Sequence, residues 1–83
     1  MNDLMNGFDI DCIYTNKETG EFAAARVLAR VEGSSLVLTI QAPQLLAHDE
    51  LAEVLDTVQR DQLSRAHLRV DRDCRVVLEA QGR

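Results

Sequence analysis

Tryptophan is absent, lysine and proline occur once each, and two phenylalanines and one tyrosine are the only aromatics in 83 residues. The core must therefore be built from Leu, Val, Ile and Ala. A chain of this length buries only about 60 % of the surface its unfolded form exposes. An aliphatic core that small gives marginal stability, and self-association is one remedy. Two cysteines, Cys12 and Cys74, are too few for a disulfide framework. The start, MNDLMNGFDIDC, has neither the basic residues nor the apolar run of a secretory signal. No apolar stretch approaches the roughly 18 residues that span a bilayer. The expected location is the cytoplasm, with both thiols reduced.

Positive charge is also scarce. Nine Lys and Arg stand against fourteen Asp and Glu, a net charge of −5. That balance disfavours phosphate backbones and anionic membranes, and it is compatible with a protein partner carrying a basic surface. Eight of the nine cations are arginine, which codon bias can produce, so the excess is assigned no function.

Residues 1–7 read as a flexible tail and 8–83 as a single domain. FDIDCIY puts Phe8, Ile10, Cys12 and Tyr14 on one face of a strand and Asp9 and Asp11 on the other. TNKETGE is polar with one glycine and predicts a hairpin loop. FAAARVLARVE suits helix or strand. The short EGSS link into the β-branched run LVLTIQA favours a second hairpin, with Ala23, Ala25, Val27, Ala29 and Val31 sharing a face. Pro43 ends that strand near Ala42. Ala47, Leu51, Val54, Leu55 and Val58 then repeat at helical spacing. Asp49, Glu50 and Glu53 crowd the start of this helix and Arg60 and Arg65 its end, complementing the macrodipole. Asp56–Arg60 and Asp61–Arg65 form i,i+4 pairs. Leu68 and Val70, then Cys74, Val76 and Leu78, predict two closing strands around the turn Asp71-Arg72-Asp73. The expectation is a two-layer α+β domain of order β-β-β-α-β-β, a mostly antiparallel sheet with one helix packed on a face. Phe22 and Leu28 would lie on the sheet face away from the helix, where a symmetric dimer would cover them.

Chemistry-bearing groups do not assemble at recognisable spacings. Cys12, Cys74, His48 and His67 form no C-x-x-C or H-x-x-x-H pair, so neither a metal nor another cofactor is expected. His48 abuts Asp49 and Glu50, but neighbouring helical residues point apart. Ser34, Ser35 and Ser64 have no nucleophile elbow around them. No enzymatic function is expected.

Two surfaces remain. The acidic set Asp49, Glu50, Glu53 and Asp56, with Asp9 and Asp11, would steer and contact a protein partner. The chain then acts as an adaptor, a chaperone-like protein or an inhibitor of a larger complex. The alternative is a nucleic-acid-binding regulator using the arginines between Arg60 and Arg75, with Arg65, Arg69, Arg72 and Arg75 as contacts. Here Arg69 and Arg75 would share the solvent face of the last strands. Carboxylates at Asp61, Asp71 and Asp73 oppose that reading, as does the net charge.

LVLTIQAPQLLAHDELAEVL resembles the end of the carbon storage regulator family of small RNA-binding proteins. There, a strand runs through an Ala-Pro step, here Ala42-Pro43, to a His-x-Glu segment that opens a helix, here His48 and Glu50. IYTNKETGEF is weakly similar to that family's opening strand. Where the resemblance implies RNA-contacting arginines, this chain has Asn16, Lys17 and Asp49. The resemblance therefore assigns no RNA-binding residues here.

Overall fold

The computed structural model of the protein describes residues 7–80. The expected tail lies outside them except for Gly7. This residue is fixed against the sheet at a φ of +86°, where a Cβ would collide with the Ala29 carbonyl oxygen. β1 (Phe8–Thr15), β2 (Phe22–Glu32), β3 (Ser35–Ala42) and β4 (Cys74–Ala80) form one sheet in that order. β1–β2 and β2–β3 are antiparallel and β3–β4 is parallel. The expected two-layer α+β architecture, a mostly antiparallel sheet with one main helix on a face, is the one observed.

The ambiguous stretch Phe22–Glu32 is a strand, tied to both neighbours by tight links. Asn16 closes the first loop, its Oδ1 accepting from the N–H groups of Glu18 and Thr19 at 2.8 and 3.1 Å. The second is the two-residue turn Gly33-Ser34, with Gly33 at a φ of +63°. A positive φ at the first central residue matches the right-handed twist of the strands it joins. Alternation places Cys12, Tyr14, Ala25, Val27, Leu36, Leu38 and Ile40 on the helix-facing side, all nearly or wholly buried.

α1 (His48–Val58) lays Val54 and Val58 on that face, both fully buried. A regular continuation would next point Asp61 and Gln62 inward. Instead the turn Gln59–Leu63 widens to a π-helical one. The extra residue carries the apolar stripe from Val58 to Leu63, which is also fully buried. Asp61 and Arg65 now fall across the wide turn and the tight 3-10 turn Ser64–Ala66. The ion pair expected between them is absent among the described residues, whereas Asp56–Arg60 forms at 3.5 Å. The helix ends at His67 in the left-handed region, φ 59°. Leu68 N–H donates to the Leu63 carbonyl and His67 N–H to that of Ser64, a Schellman ending.

The last region differs from expectation. Leu68 and Val70 do not form a strand. The amide of Gln59 holds both, donating to the Leu68 carbonyl at 2.7 Å and accepting from Val70 N–H at 2.9 Å. Arg69 then starts a single helical turn, α2 (Val70–Asp73), whose Asp73 carboxylate accepts from Arg69 N–H at 2.9 Å. Side chains thus occupy the backbone groups a ladder would need, and four strands form among the described residues instead of five. α1 also returns the chain to the end of the sheet where β3 began. The following strand must run the same way as β3, which makes that pairing parallel.

Two stability changes follow. Gln59→Ala removes both bonds to the β4 approach and should cost about 2 kcal/mol in urea unfolding. His67→Gly relieves a left-handed non-glycine residue and should raise stability by about 0.5–1 kcal/mol in the same assay.

Candidate interaction site

The helix acids, read from sequence as partner contacts, are mostly turned to the chain's own first hairpin. Asn16 N–H donates to the Glu21 carbonyl at 2.8 Å. Antiparallel alternation therefore turns the N–H groups of Thr15 and Lys17 away from β2, to the outer edge. Glu53 Oε1 accepts from Thr15 N–H at 3.0 Å, and Glu50 Oε2 from Lys17 N–H at 2.8 Å. The other Glu50 oxygen accepts from Ala47 N–H at 2.7 Å. Alanine at the helix cap offers no side-chain acceptor, so Glu50 contributes the one side-chain bond there. Asp49 pairs with Lys17 Nζ at 2.6 Å.

Glu50 is buried, only 6 % exposed, and is a joint rather than a surface contact. Glu53 and Asp49 are exposed but engaged at the same joint. Asp56 sits on the solvent side with Arg60.

These bonds favour the charged acids. The Ala47 N–H, then the Lys17 N–H, hold Glu50 below the usual carboxylate range. Lys17 lowers Asp49, and Asp49 raises Lys17.

The helix-free face of the sheet carries the remaining candidates. Asp9 and Asp11 lie there as expected. Arg26 grips Asp9 at 2.9 and 2.6 Å, which lowers the Asp9 pKa. Asp11 stands opposite Arg26 in register, so these three residues keep one negative charge in excess. Beyond them, towards the first loop, Ile13 pairs with Ala24 and Thr15 with Phe22. Phe22 is 80 % exposed and Ile13 55 %. Ile13 was not singled out from sequence. Its signal was an apolar residue in the outward register of Asp9 and Asp11. At the other end of the face, Val37 is buried although no helix covers it. Its register neighbours Arg30 and Arg75 converge on Glu32, at 2.7 and 2.9 Å, and span it. Arg30 first, then Arg75, lowers Glu32.

The arginines of the alternative reading do not share one strand face. Arg69 precedes α2, Arg72 lies on it, Arg65 ends the main helix and Arg75 is on β4. Arg60, Arg69 and Arg75 pair with Asp56, Asp71 and Glu32. Arg65 and Arg72 are exposed and make no ion pair among the described residues.

Other chemistry is dispersed. No group of three or more His, Cys, Asp or Glu that could hold a metal comes together among the described residues. Cys12 is buried opposite Ala25, and Cys74 stands at the far end of the sheet opposite Leu36. Burial raises both thiols, with Asp61 and Asp73 as the next causes respectively. A groove of about 520 Å³ between α1 and α2 is lined by Leu55, Val70, Asp56 and Arg69 among others. No helix among the described residues is long and apolar enough to cross a membrane. Comparison with protein-family models, with curated proteins and with solved structures gives no match to this chain. The segment resembling carbon storage regulators is the β3–α1 junction, where Pro43 follows the strand and Glu50 caps the helix.

The joint gives a pH dependence. Because folding lowers the Glu50 and Asp49 pKa values, their stabilisation is complete above the ordinary carboxylate range. It is lost as pH falls through the lowered values. Glu50→Gln should be less stable than wild type at about pH 7, and the gap in urea midpoints should narrow as the pH falls below the ordinary carboxylate range. Parallel pH profiles would show that the carboxylate charge is immaterial.

Proposed function

We propose that the protein is a small acidic protein-binding module, an adaptor, chaperone-like protein or inhibitor within a larger complex. It engages its partner through the helix-free face of the sheet. The observation that carries this reading is the exposed pair Phe22 and Ile13 on that face, beside Asp9 and Asp11. An aromatic anchor next to charged residues is the composition of an interface centre with its rim. Phe22 enters an apolar pocket of the partner. Asp11, with the Asp9–Arg26 pair, meets a basic group at its edge. The net charge of −5 speeds encounter with a basic surface. Asp49 and Asp56 are exposed on the helix in pairs with Lys17 and Arg60, while Glu50 and Glu53 hold the helix to the hairpin. The reading assigns no catalysis and no cofactor, and it places the complex in the cytoplasm.

Capture from nuclease-treated host lysate tests it, with wild type beside the double variant Ile13→Ser/Phe22→Ser. A stoichiometric protein should be retained by wild type and held about 30-fold more weakly by the variant. Equal retention by both would remove this face from consideration. Material lost with nuclease and dependent on Arg65, Arg69, Arg72 and Arg75 would instead support the nucleic-acid regulator.

A further inference from the structure

The two edges of the sheet are treated differently. At the loop end of β1, the outward N–H of Thr15 and that of Lys17 in the following loop are occupied by Glu53 and Glu50, and Asp9 and Asp11 on the strand add charge. Carboxylates and a covering helix are devices that keep an edge from pairing. β4 carries a single carboxylate, Glu79. This strand is last in the sheet order, and no described strand lies beyond it. Its central residues are Arg75-Val76-Val77-Leu78-Glu79, with Val77 and Leu78 each 38 % exposed. The strand has no proline, no lysine and no inward-pointing charge.

This segment complements itself. If a second β4 runs antiparallel with Val77 opposite Val77, then Arg75 faces Glu79 of the other copy, twice. Val76 faces Leu78, also twice. Side chains directly opposite in an antiparallel pair share a face. In the present register Arg75 and Glu79 lie on the helix-free face, and Val76 and Leu78 on the helix side. The charges also balance. One carboxylate, Glu32, serves both Arg30 and Arg75, leaving a cation in excess. Glu79 accepts from the Gln41 amide at 3.1 Å and has no cation within ion-pair distance among the described residues. α1 packs closest to β1, at the edge opposite the pairing strand.

We propose that the protein forms a two-fold dimer by pairing β4 with β4 of a second copy, giving one continuous sheet in which the four strands of each copy are joined edge to edge. The carboxylates at the loop end of each β1 disfavour further edge pairing there, and with it a β4-to-β1 contact, which would be head-to-tail and open-ended. This differs from a dimer that covers Phe22 and Leu28, and it does not depend on the protein-binding role of the opposite end of the sheet.

The test uses charge reversal in the full chain. Arg75→Glu sets two carboxylates opposite each other across the pairing, and Glu79→Arg sets two guanidinium groups opposite each other. Each variant alone should dimerise about tenfold more weakly than wild type in sedimentation velocity, with an unchanged far-ultraviolet spectrum. Mixed together, the two variants again oppose a carboxylate to a guanidinium at both positions and should recover a heterodimer, visible by native mass spectrometry. Leu78→Lys, exposed at the edge, should also give monomer. A wild-type chain that stays monomeric at several hundred micromolar overturns the proposal. So does single-variant dimerisation at wild-type strength, or a mixture that fails to pair.

Discussion

The carboxylate of Glu50 is the point on which the arrangement turns. One oxygen closes the start of α1 and the other holds the loop after β1. Together with Glu53 on Thr15 and Asp49 on Lys17, it fixes helix to hairpin across more than thirty residues of sequence. With the helix so fixed, Val54 and Val58 meet the buried face of the sheet, and the widened turn brings Leu63 into the same row. A buried carboxylate with two N–H donors is satisfied, whereas removing those donors would leave it desolvated and unpaired. The acidity of the helix is therefore first a device of assembly, and only its remaining carboxylates are surface.

One helix cannot cover both faces of a four-stranded sheet, and the uncovered face solves the problem unevenly. Beside β3, Arg30 and Arg75 converge on Glu32 above Val37, so an apolar residue is shielded by long side chains rather than by a second layer. At the loop end nothing of the kind stands over Phe22 and Ile13 among the described residues. The same inequality runs along the edges, where carboxylates occupy the loop end of β1 and no described strand lies beyond β4. Shielded and unshielded regions within one small sheet give the molecule distinct places for distinct contacts.

Much of this was legible along the chain, because alternation and helical spacing are local signals. Phe8, Ile10, Cys12 and Tyr14 fell on the helix-facing side, Asp9 and Asp11 on the other, and the two tight links produced two hairpins. Leu68 and Val70 misled because a short apolar alternation also fits a side-chain-clamped turn. Nothing near them in sequence announces that Gln59 will take their backbone groups. The acidic helix looked like a partner surface because its bonding partners, Thr15 and Lys17, lie far upstream.

The sequence by itself determined the layer architecture, the order of the first four elements and the face each of their strand residues occupies. Those follow from periodicity and turn chemistry between near neighbours. Only the tertiary structure decided the parallel pairing of β4, the burial of Glu50 and which sheet edge stays open. Each of these depends on groups far apart in the chain meeting at hydrogen-bond distance, a condition no local pattern encodes.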